Sequence, residues 1–81
     1  MDIGRSNVLP TKHYLKYHSD VDWDLVLDTV ISPHISRQNK RLGNDRFTYI
    51  RKFKKFVIEV HAIKIENECK ILVINAFRIV R

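Results

Sequence analysis

The spacing of apolar residues changes character near residue 45. Before it, Trp23, Val26, Leu27 and Val30 recur at i, i+3, i+4 and i+7, one face of an amphipathic helix. Asp22 can cap that helix, and Asp24 places a carboxylate in its first turn, at the positive end of the helix dipole. Pro33 ends it, because the residue before a proline is pushed out of helical geometry. The pattern predicts a helix from about Trp23 to Ile31. A shorter helix, Lys12 to about His18, is expected after Pro10, with Thr11 as its cap and Tyr14, Leu15 and His18 as its sticky side. Ser19-Asp20-Val21-Asp22 breaks it. Residues 1–10 show no period and read as a loose arm or an edge strand.

From Ser32 to Asp45 the chain is polar, and Pro33, Gly43 and Asn44-Asp45 mark it as a loop. The period then falls to two. Arg46 to Arg51 reads as a strand with Phe47 and Tyr49 on one side and Thr48 and Ile50 on the other. Phe56, Ile58, Val60 and Ala62 alternate with Val57, Glu59, His61 and Ile63, giving one apolar and one mixed face. After a turn at Glu66-Asn67-Glu68, Cys69 to Ile79 is a nearly continuous apolar run, as a central, well-covered strand requires. Helices followed by strands predict a single α+β domain over residues 1–81. Its expected architecture is two N-terminal helices packed on one face of a three- to four-stranded antiparallel meander, Trp23, Val26 and Leu27 lying on Phe56, Ile58 and Val60.

Charge adds a direction to this picture. The chain carries +6 overall. Arg37, Lys40, Arg41, Arg46, Arg51, Lys52, Lys54 and Lys55 are opposed between residues 37 and 55 only by Asp45, so this stretch holds +7 and the remainder nets −1. Asp20, Asp22, Asp24 and Asp28 crowd one short acidic segment. Clustered cations suit a polyanion, because counterion release grows with the number of phosphates neutralised together. The competing reading is a solvated face that serves solubility. The single Cys69 excludes an internal disulfide and fits a reducing, cytoplasmic setting. No apolar run approaches a membrane span, and the first residues lack the apolar core of a signal peptide.

With only Gly4 and Gly43, no glycine-rich phosphate loop can be written. Cys69 has no basic motif around it to activate a thiolate. His13 and His18, five apart on a helix, are expected to diverge, so neither a metal nor a cofactor is expected. The remaining chemistry suits metal-independent RNA cleavage, which needs a base for the ribose 2′-hydroxyl, an acid for the leaving oxygen and cations for the phosphorane charge. Histidine carries protons near neutrality, and the chain has His13, His18, His34 and His61. Glu59 and His61 share a strand face, roughly 6.5–7 Å apart, a separation that could straddle a phosphate. Arg46, Arg51 and Lys52 would supply the positive field. Each residue also has a plainer role: His61 as a surface side chain, Glu59 as a cross-strand partner of a lysine, His18 as a cation at a helix end, and Tyr14 and Tyr17 as core rather than base-stacking rings.

The layout of Thr11-Lys12-His13, Ser32-Pro33-His34 and a basic meander closing on Ile71-Leu72-Val73-Ile74-Asn75-Ala76-Phe77 resembles the small nucleases and toxins of the barnase, colicin and RelE type. It does so over about residues 11–80, in architecture and order. The resemblance implies a metal-independent endoribonuclease blocked by an antitoxin protein. It nominates His13 on the first helix and Arg46, Glu59 and His61 on the sheet, with Tyr17 where such proteins often carry arginine. RNA is the expected partner, held by Arg37, Lys40, Arg41, Arg51, Lys52, Lys54 and Lys55. An antitoxin and a second copy are the candidate protein partners, and no membrane is expected. Nucleic-acid binding without cleavage and a protein-interaction module remain the alternatives.

Overall fold

The computed structural model describes residues 4–80. The chain runs β1 (Val8–Pro10), α1 (Lys12–Tyr17), α2 (Trp23–Ile31), β2 (Ile35–Gln38), β3 (Arg46–Lys52), β4 (Phe56–Ile65) and β5 (Lys70–Val80). The strands form one mixed sheet of five, in the order β1-β5-β4-β3-β2. The protein is α+β; β1 is the edge strand that the first ten residues could form, and β2 makes one strand more than the three to four expected. β1 adds to β5 in parallel, Val8 opposite Ile71 and Pro10 opposite Val73, so the sheet is not purely antiparallel. β2 pairs antiparallel with β3, Ile35 opposite Ile50 and Gln38 opposite Phe47, inside a segment whose sequence reads as loop. All four β2 residues are exposed. A strand held only by its ladder has no reason to alternate, which is why its pattern is silent.

Both helix starts are capped as the sequence predicts. The Thr11 hydroxyl accepts from the Tyr14 amide, and the Asp22 carboxylate accepts from the Asp24 amide. Thr11 also ties α1 to the sheet, since its amide and its hydroxyl both donate to the Val73 carbonyl, at 3.0 and 2.7 Å. α1 lies against β5, and α2 against β3 and β4. The core joins Tyr14, Val26, Leu27 and Val30 to Tyr49, Ile58, Val60, Ala62, Ile71, Val73 and Ala76, with Trp23 and Phe56 at its margin. Tyr14 is 2% exposed and its hydroxyl donates to the Val21 carbonyl at 2.6 Å, which fastens α1 to the turn before α2. Leu15, by contrast, is 56% exposed, so the sticky side of α1 is Tyr14 without Leu15.

The alternation of β3 and β4 sorts side chains as expected: Tyr49, Ile58 and Val60 are buried in the core, while Glu59 and His61 point to the opposite, outer face. β5 obeys a subtler rule. Opposite the step from His61 to Ala62 it passes from Asn75 to Val73, so Ile74 is an extra residue, a bulge. The extra residue lets Val73 and Ala76, three apart, both reach the core. It also keeps Asn75 and Phe77 in register with His61 and Glu59 on the outer face. The end of β5 departs from the well-covered strand expected, with Phe77 to Val80 all exposed. The β2–β3 connection turns through Gly43 at φ +144°, where an added Cβ would meet the Asp45 carboxylate at 2.9 Å.

Candidate functional site

The outer face carries a polar hollow of about 390 Å³ at its centre, lined by Arg37, Gln38, Asn39, Thr48, Glu59 and His61. Strand register assembles it: Arg37 stands opposite Thr48, and Thr48 opposite His61, across three neighbouring strands. Thr48 at its floor is only 4% exposed although no helix is needed to cover it. Glu59 and His61 are half-buried in the wall. Their side chains do not straddle a gap as the strand spacing suggests. Both lean along the strand, and the His61 Nε2 lies 2.7 Å from the Glu59 Oε2. A carboxylate can only accept, so in a neutral ring Nε2 carries the proton and Nδ1 is left with a free lone pair. Glu59 thus orients His61 and sets its tautomer.

The basic stretch is distributed by the strands that carry it. β3 spans seven residues, about 20 Å between its end residues. Lys40 and Arg41 sit in the hairpin at one end, beside the hollow; Lys52, Lys54 and Lys55 sit at the other. Arg46 begins β3 at the hairpin end and Arg37, opposite Thr48, stands near it, both on the outer face by register. Arg46 shares a small depression with His61, Asn39 and Asn75, and its Nε is 3.9 Å from the Asp45 carboxylate. The cations nearest in sequence therefore do not form one patch.

Arg51 belongs elsewhere. Register places it opposite Ile58, on the core side, where its Nη1 donates to the Ser32 carbonyl at 2.6 Å and its guanidinium lies over the Phe53 ring. It clamps the end of α2 to β3, and its Nε is buried without a hydrogen-bond partner. His34 is likewise structural: its Nδ1 accepts from the Lys52 amide at 2.9 Å and its own amide donates to the Ile50 carbonyl, extending the β2–β3 ladder.

The helix histidines reach the outer face by way of a ring that sequence reasoning left out. His18 meets Phe77 edge-on at 5.2 Å between centroids, and Phe77 meets His61 at 5.5 Å. His13 and His18 do not diverge, their rings being 5.4 Å apart. The cause is backbone: His18 is the C-cap of α1, with φ −130° and ψ 10°, so it has left the helical path that would separate the two. Among the described residues no three His, Cys, Asp or Glu side chains are grouped to hold a metal. No helix of the described residues is long and apolar enough to cross a membrane. Phe77 sits two residues beyond Asn75 in a run that reads as core strand; only the bulge shows which face it takes. Comparison with family models, with curated proteins and with solved structures finds no match.

Proposed function

We propose that the protein is an RNA-binding, toxin-like member of the barnase, colicin and RelE type that cuts RNA without a metal, with Glu59–His61 as its acid–base centre. The observation that carries this reading is the 2.7 Å Glu59–His61 hydrogen bond inside a hollow that also holds Arg37. His61 Nδ1 takes the proton of the ribose 2′-hydroxyl, and the freed 2′-oxygen attacks the adjacent phosphorus. Glu59 stabilises the imidazolium that forms. Arg37 and Arg46 meet the charge that gathers on the phosphorane oxygens. The bond from phosphorus to the 5′-oxygen breaks and the leaving oxygen takes a proton from water, which the His61 imidazolium then restores; His18, beyond Phe77 and outside the lining of the hollow, does not supply it. In this reading the two helices form a layer over one sheet face and leave the other to RNA, the setting is cytoplasmic, and an antitoxin would act by covering the hollow.

A second reading, binding without cleavage, draws on the spread of cations along the whole length of β3, which chemistry at one phosphate does not require. Incubating purified protein with total RNA in EDTA separates the two. Fragments ending in a 2′,3′-cyclic phosphate are the expected product. Protein that retains RNA in a gel shift and never cuts it is a binding module instead.

A further inference from the structure

Five rings form a continuous track from α1 to the hollow. Tyr17 touches His13 at 4.9 Å between centroids, His13 touches His18 at 5.4 Å, His18 touches Phe77 at 5.2 Å, and Phe77 touches His61 at 5.5 Å. None of these rings belongs to the core. Tyr17 is 60% exposed and Phe77 39% exposed, whereas Tyr14, on the same short helix, is the residue that fills the core. Lys16 lies over the Tyr17 ring at 5.2 Å, which puts a cation at the far end of the track. Exposed π faces flanked by cations are the two elements with which proteins hold unpaired bases and the backbone between them.

We infer that this track is a stacking subsite for single-stranded RNA, holding nucleotides next to the phosphate in the hollow, with Phe77 and Tyr17 as its platforms. The inference rests on the ribonuclease reading for the choice of RNA and names what that reading leaves open, the strandedness of the substrate. A duplex keeps its bases stacked on one another and has none to offer these rings, so the subsite selects single strands. The cations along β3 meet phosphates of either form and do not discriminate.

The test uses a labelled 2′-O-methyl RNA octamer, which lacks the attacking hydroxyl and cannot be cut, and the blunt duplex of the same sequence. Fluorescence anisotropy of the intact protein reads both affinities over a salt series. Phe77→Ala and Tyr17→Ala should each weaken the single strand about tenfold, leave the duplex within about twofold, and keep the salt slope, because no cation is removed. Phe77→Trp and Tyr17→Phe should restore binding. Tyr17 lies outside the core, so Tyr17→Ala remains a fair test if Phe77→Ala fails to fold. Single-strand affinity unchanged in both alanine variants would overturn the subsite, as would equal losses for single strand and duplex. Wild-type protein that binds neither RNA also overturns it and turns the face over to a protein partner. Wild-type protein that binds single strands and never cuts a cleavable RNA ends the ribonuclease reading while the subsite stands.

Discussion

The two faces of the sheet use the same strands for opposite purposes. On the core side, Tyr49, Ile58, Val60, Val73 and Ala76 are closed off from water and packed with Val26, Leu27 and Val30. On the outer side, one residue along each strand, stand Thr48, Glu59, His61 and Phe77, with Arg37 at the rim. The core face is uniform, so its residues are exchangeable for others of similar volume. The outer face holds a carboxylate, an imidazole and a guanidinium around one hollow; only Thr48 at its floor is deeply buried, and none of these side chains belongs to the core. Stability and function can therefore be separated by substitution, strand position by strand position.

The largest effect expected is on the outer side. His61→Ala should lower RNA cleavage on the order of 10²–10⁴-fold, the usual share of a general acid or base, with a melting curve close to wild type. A marked loss of stability in that variant would erase the division between the faces. Next comes the core side: Ile58→Ala should cost about 2–5 kcal/mol and Trp23→Ala about 3 kcal/mol in urea unfolding. A stable Trp23→Ala protein that has lost only RNA binding would move that ring to the functional side. Smaller still is the contrast between the two ends of β3. Replacing Lys40 and Arg41 with alanine should weaken RNA binding and flatten its salt slope by about 1–2 units. The same change at Lys54 and Lys55, remote from the hollow, should do less, and the reverse order in a salt titration would put the RNA path at the other end.

The smallest effect is a pH dependence of the core face. Burial raises the Tyr49 phenol above its ordinary 10.0, and it raises Tyr14 with help from Asp22 and Asp20. A folded value above the unfolded one favours the neutral phenol in the fold. Its contribution to stability is then complete below about pH 10 and is lost as pH climbs through the raised value. Tyr49→Phe should flatten the fall in stability above about pH 10. Tyr14 is the poorer choice, since its hydroxyl donates to the buried Val21 carbonyl and phenylalanine would leave that carbonyl unpaired. An unchanged alkaline limb in Tyr49→Phe would assign the loss to other groups.

Much of this was legible in residue order. The caps at Thr11 and Asp22, the span of α2, and the opposite faces of Tyr49 and Thr48 follow from local chemistry and from periods of 3.6 and two. So does the shared face of Glu59 and His61. Local pattern could not supply the direct bond between those two, because strand spacing fixes where side chains start and not where they lean. Period two also sets Arg51 on the Tyr49 side, apart from Arg46 and Lys52; what local pattern could not supply is its partner, the Ser32 carbonyl, nineteen residues away in the chain.

Three features were decided only in three dimensions, each for a physical reason. β2 has no alternation of its own and exists because β3 offers it a ladder. The parallel addition of β1 to β5 joins opposite ends of the chain, a pairing on which neither segment's composition bears. The face taken by Phe77 depends on one extra residue at Ile74, which shifts the parity of β5 against β4. Residue types and periods settle which side chains the protein owns and which way each strand presents them. Pairing between distant segments settles which of them meet, and the hollow, the ring track and the divided cations are all products of that pairing.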